Sequence, residues 1–118
     1  MSRRETTKIE GGQTLEARSS DDGSGHFSWT FLSNHAHVLV CIQADNRMRL
    51  RDMARHVGIT ERAVQRIIRE LEEAGVVKRI REGRRNQYAI NRDAPLRHPL
   101  ESHCTVGQLM YLVGPPSP

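Results

Sequence analysis

Aromatic residues are scarce in this chain: Phe, Trp and Tyr make up 4% of its 118 residues. Any core it builds must therefore be aliphatic and small, and a partner that buried more apolar surface would help it. Cysteine is nearly absent. The two present, Cys41 and Cys104, lie far apart, which suits a reducing compartment better than a disulfide framework. No apolar run approaches the ~20 residues needed to cross a bilayer. The N-terminus is charged but shows no apolar h-region, so no secretory signal is expected. There is no glycine-rich phosphate loop and no Ser/His/Asp set with a local signature, so catalysis has no positive support.

Acidic residues are also few where basic ones are dense. The formal net charge is +4, from 18 Lys and Arg against 14 Asp and Glu. Between Arg47 and Arg92 there are 13 basic and 6 acidic side chains, a local net of +7. Residues 1–27 carry 4 basic and 5 acidic groups, and the rest of the chain carries 1 and 3. The positive excess thus sits on one segment, an arrangement that favours polyanions through phosphate contact and counterion release.

Three regions are expected. Residues 1–27 are polar, with Gly11, Gly12, Gly23 and Gly25, and read as a disordered arm whose Arg3, Arg4 and Lys8 could touch DNA. Residues 28–92 hold the ordered module. Residues 93–118 read as a linker, broken by Pro95 and Pro99, and a C-terminal dimerisation helix.

Within the module, Ser33 or Asn34 can cap a first helix running to about Gln43. Ala36, Val38, Leu39, Val40, Cys41 and Ile42 make that helix apolar almost all round, so it must be covered on every side. Asp45-Asn46 breaks it. Arg47 to Leu50 are expected as a short strand pairing with a later hairpin, with Leu50 inward. Arg51 to Val57 supply a second helix, with Met53, Ala54 and Val57 inward, and Gly58 can take the positive φ that ends it.

Thr60 then caps a third helix by offering its hydroxyl to an unpaired backbone N–H. In that helix Val64, Ile67, Ile68 and Leu71 recur at i, i+3, i+4 and i+7, while Arg62, Arg66 and Arg69 fall on the opposite side. Gly75 closes it. Val76, Val77 and Ile80 begin a strand, Glu82 to Arg85 form a tip, and Gln87 to Ile90 return. Beyond the linker, Val106, Leu109, Met110 and Val113 resume a helical repeat. That helix needs cover, from the first helix or from the first helix of a partner chain.

The run from Gly58 to Val64, followed by Leu71 to Val77 and a basic hairpin, resembles the winged helix-turn-helix of bacterial and archaeal transcriptional regulators, in particular the MarR and ArsR-like group. The likeness extends over about residues 29–90. It implies a mainly α, α+β fold: a winged helix-turn-helix with a small antiparallel β-hairpin wing and an added C-terminal helix. The long C-terminal dimerisation helices of MarR proteins and a metal-sensing cysteine motif are not recognisable, so drug and metal sensing are not implied.

The resemblance places the recognition helix at about residues 60–74 in the major groove of double-stranded DNA and the wing at about 81–87 on phosphates or the minor groove. Arg62 and Arg66 can fork onto guanine O6 and N7, and Gln65 can pair with adenine. Thr60 can reach a phosphate or a thymine methyl. Arg69 is expected on the backbone, with Arg51 and Arg55 of the preceding helix. Arg81, Arg84 and Arg85 belong to the wing, with Arg84 and Arg85 at its tip. Glu70 and Glu73 are the bland alternative, pairing with Arg66 and Arg69 at i, i+4.

The expected function is a sequence-specific, duplex-binding transcriptional regulator, a prokaryotic cytoplasmic homodimer associated with the nucleoid when bound. The sequence names no effector. The competing reading is a winged-helix protein–protein interaction module without base readout. RNA binding lacks the stacking aromatics that single-strand recognition prefers. No enzyme, cofactor or metal is expected. His35 and His37 point to different sides of a helix, and His103-Cys104 and His98 lack ligand spacing. Cys41 reads as core, and nothing near Cys104 would lower its pKa.

Overall fold

The computed structural model describes residues 28–114. The expected N-terminal arm, with Arg3, Arg4 and Lys8, lies outside the described residues, as do residues 115–118. Six elements follow in order: α1 (Asn34–Ala44), α2 (Leu50–Val57), α3 (Glu61–Glu73), β1 (Val77–Glu82), β2 (Arg85–Ile90) and α4 (Val106–Val113). β1 and β2 form a two-stranded antiparallel sheet in the register Val77–Ile90 to Glu82–Arg85, closed by Gly83 and Arg84.

The local signals act as the residue types require. Ser33 caps α1 by accepting from Ala36 N, and Thr60 caps α3 by accepting from Ala63 N at 3.0 Å. Such a cap contributes about 1 kcal/mol. Gly58 and Gly75 hold φ of 88° and 77°, the left-handed region that L side chains rarely adopt, and so end α2 and α3 without strain. α4 starts with a full capping box, in which Thr105 and Gln108 exchange side-chain and backbone hydrogen bonds.

One core joins every element. Val38, Leu39, Cys41 and Ile42 of α1 meet Met53 and Ala54 of α2, and Val64, Ile67, Ile68 and Leu71 of α3. Ile59 fills the space between α2 and α3, while Val76, Val77 and Tyr88 attach the sheet. Burial raises the pKa of the Cys41 thiol, keeping it a neutral core group.

The expected strand over Arg47–Leu50 does not form. Asn46 and Arg47 make a turn, Arg49 is the N-cap of α2, and Leu50 already belongs to that helix. The segment still meets the hairpin, through one backbone bond from Tyr88 N to Asn46 O at 2.9 Å, and Leu50 is packed inward. A single such bond is a junction and no ladder.

The stretch after Ile90 contains no helix or strand before α4, yet it is closely held. Leu96 N donates to Cys104 O and Val106 N to Ala94 O, forming a bridge between Pro95 and Thr105, and Ala94 is buried. This bridge returns the chain so that α4 packs on α1 of the same molecule, with Val106 and Met110 inward. Gln43 donates to Met110 O at 3.0 Å and reinforces the contact. Of the two covers open to the C-terminal helix, the molecule uses its own first helix.

Candidate nucleic-acid interface

α3 is held to the core by one face and clears the other. Ala63, Val64, Ile67, Ile68 and Leu71 are buried, whereas Arg62, Gln65, Arg66 and Arg69 are all exposed. These four stand at i, i+3, i+4 and i+7, so at 100° per residue they form one stripe opposite the buried set. The stripe is flanked by two carboxylates whose shortest contacts lie outside it. On one flank Glu70 Oε1 accepts from His35 Nε2 of α1 at 2.7 Å. On the other, Glu72 is gripped by Arg79 of β1.

The candidate side chains differ in how free they are. Arg51, Arg62, Gln65, Arg69 and Arg84 make no side-chain hydrogen bond or ion pair among the described residues. Arg66 has only a loose partner, Glu70 Oε1 at 3.7 Å. Arg55 is paired with Asp52 at 2.8 Å within α2. Thr60 is exposed, with its oxygen committed to capping while its hydroxyl hydrogen can still be donated outward.

In the wing, Arg81 Nε donates to the carbonyl of Gly83 at 3.0 Å. Arg84 occupies the two-residue turn, whereas Arg85 is the first residue of β2 and reaches back to Arg47 O at 2.7 Å. The tip is therefore narrower than the sequence suggested, with Arg84 outermost and Arg85 turned toward the body. Arg49 and Lys78, which sequence reasoning passed over, are exposed and without a side-chain partner among the described residues. Arg49 was hidden by the displaced start of α2. Nothing in the local pattern around Lys78 marks it out.

The histidines do not converge. His35 serves Glu70, His37 Nδ1 lies 3.1 Å from Asn34 Oδ1, and His98 Nδ1 accepts from Leu100 N. Among the described residues no group of three or more His, Cys, Asp or Glu side chains could hold a metal ion, and no helix is long and apolar enough to cross a membrane.

Three helices, a tight turn between α2 and α3, and a basic hairpin beside the exposed arginine stripe define a helix-turn-helix with a wing. Residues 34–78 match the family described as winged helix-turn-helix DNA-binding. The matched segment covers α1, α2, α3 and the root of β1. Neither the search of curated proteins nor that of solved structures found a match.

Proposed function

We propose that this chain is a sequence-specific transcriptional regulator of the MarR and ArsR-like kind, binding duplex DNA as a homodimer in a prokaryotic cytoplasm. α3 lies in the major groove, where Arg62, Arg66 and Gln65 meet base edges and Arg69 the backbone. Arg51, Arg55 and Thr60 serve phosphates, and the wing brings Arg84, with Arg81 and Arg85 behind it, to a phosphate or the minor groove. No catalysis and no cofactor are part of this reading.

The observation that carries it is the exposed stripe of Arg62, Gln65, Arg66 and Arg69, three of them without a side-chain partner among the described residues. A protein-docking module needs no row of forked donors, and a merely solvated helix face would pair them with its own glutamates. Here Glu70 bonds His35 and meets Arg66 only at 3.7 Å, Glu72 is held by Arg79, and the exposed Glu73 pairs with none of them among the described residues.

Dimerisation rests on the outer side of α4, where Tyr111 and Leu112 are 87% and 80% exposed. We assign that face to a second copy. Two-fold symmetry then sets two recognition helices about one DNA turn, ~34 Å, apart and calls for a palindromic site.

The test is a salt titration of the full chain on duplexes it selects from random-sequence DNA. A steep fall of log K against log salt is expected, with a slope of about −0.9 per phosphate neutralised. A flat response, or failure to select any sequence, would overturn the reading.

A further inference from the structure

The wing leans on very little apolar packing. Val77 is the one buried residue of β1, the next five are exposed, and Ile80 is 41% exposed. In β2 only Tyr88 is fully buried. Packing therefore fastens the root of the hairpin and leaves the direction of its outer half to other forces.

Beyond the backbone bond from Tyr88 N to Asn46 O, side-chain contacts tie the hairpin to the body at two levels. At the root, Arg79 grips Glu72 in the last turns of α3 with both prongs of its guanidinium, Nη2 to Oε1 at 2.8 Å and Nε to Oε2 at 3.1 Å. Near the tip, Arg47 Nη1 meets Glu82 Oε1 at 3.1 Å, and Arg85 Nη2 donates to Arg47 O at 2.7 Å. A forked arginine–carboxylate contact fixes orientation as well as distance. As a source of stability an exposed pair is weak. On a hairpin that packing does not steer, it can still set direction.

We infer that Glu72–Arg79 and Arg47–Glu82 are positioning braces that set the angle of the wing to α3, and with it the offset along the duplex between the contacts of the arginine stripe and of Arg84. The inference rests on the DNA-binding reading above. Arg79 acts through the wing here and does not itself touch DNA.

The test compares hydroxyl-radical footprints of the full chain on a duplex of ~30 bp, about three helical turns, selected by the wild type from random-sequence DNA. Arg84→Ala identifies which protected sugars belong to the wing. Glu72→Gln and Arg79→Gln should each remove or displace those protections while keeping the ones due to α3. Affinity should fall about three- to tenfold, and the salt slope should drop by about 1, as it does when one phosphate fewer is neutralised. The exchange Glu72→Arg with Arg79→Glu should restore both.

Unchanged footprints in the two single variants overturn the inference and leave DNA binding intact. So does a uniform loss across the site that follows a lowered thermal midpoint, since that marks a merely structural pair. If the wild type selects no duplex at all, the DNA reading fails and the braces fail with it.

Discussion

α3 and α4 are built alike on one side and oppositely on the other. Each is capped by a threonine, Thr60 or Thr105, and each buries an apolar stripe against the same core. The outer side of α3 presents Arg62, Gln65, Arg66 and Arg69, whereas α4 has no charged residue and presents Gln108, Tyr111 and Leu112. Packing alone thus explains why both are helices, and it says nothing about what they meet. The outer faces decide that. Guanidinium groups in water seek a polyanion, and exposed Tyr and Leu seek apolar cover.

The sharpest way to break the comparison is on α3. Arg62→Ala with Arg66→Ala should weaken binding to a selected duplex by about 2–6 kcal/mol, if each forked pair is worth ~1–3 kcal/mol. Thermal stability should stay within about 0.5 kcal/mol, because both side chains stand in solvent. Fluorescence anisotropy and a melting curve read the two quantities separately. Unchanged affinity for every duplex would remove α3 from the groove.

The inner side of α4 should respond in stability instead. Met110 is fully buried against α1, and Met110→Ala should cost about 2–5 kcal/mol of unfolding free energy, measured by denaturant titration. A decrease below ~1 kcal/mol would mean that α4 is an appendage and that α1 needs other cover. The outer side should do the reverse. Tyr111→Ser with Leu112→Ser should weaken self-association by about 2 kcal/mol, roughly thirtyfold, with the fold intact. Sedimentation of the full chain shows it, and a wild type that is monomeric at every concentration would end the dimer proposal.

What could be read from the sequence divides along the same physical line. Gly58, Thr60, Gly75 and the stripe of α3 were legible because each is a local signal: a φ requirement, a cap, a repeat of 3.6. The start of α2 was not. Arg47 to Leu50 is too short a run for periodicity to separate strand from helix entry. Pro95 and Pro99 rightly argued against a helix, yet the bridge between Pro95 and Thr105 depends on a partner ten residues away that no local pattern names.

The interface shows the same limit. Which arginines exist, and on which helix face, is sequence information. Some ties are local, Arg55 to Asp52 and Arg66 to Glu70, and others are tertiary. Arg79 to Glu72 and Arg85 to Arg47 span a helix end, a strand and a turn, so the bound arginines could not be told from the free ones beforehand. The all-round apolar α1 needed cover on every side, from the module, from α4 or from a partner chain, and α4 of the same molecule packs on it. The motive for dimerisation accordingly moves from α1 to the outside of α4.

The smallest expected effect concerns the flank of α3. The carboxyl of Glu70 is held below its ordinary pKa, chiefly by the hydrogen bond from His35; desolvation opposes this, and the charges of His35, Arg66 and Arg69 add to the lowering. A carboxylate whose folded pKa is depressed binds fewer protons folded than unfolded. Its stabilising contribution is therefore present above the unfolded value, ~4.3, and is lost as pH falls through the folded one. The wild type should lose thermal stability as pH falls below about 5 more steeply than Glu70→Gln, which has no carboxyl to protonate at this position. Because the group is open to solvent, the difference should be slight and should shrink further in high salt. Parallel curves for the two proteins would show that His35 and Glu70 merely lie side by side, leaving α3 held on that flank by its apolar stripe alone.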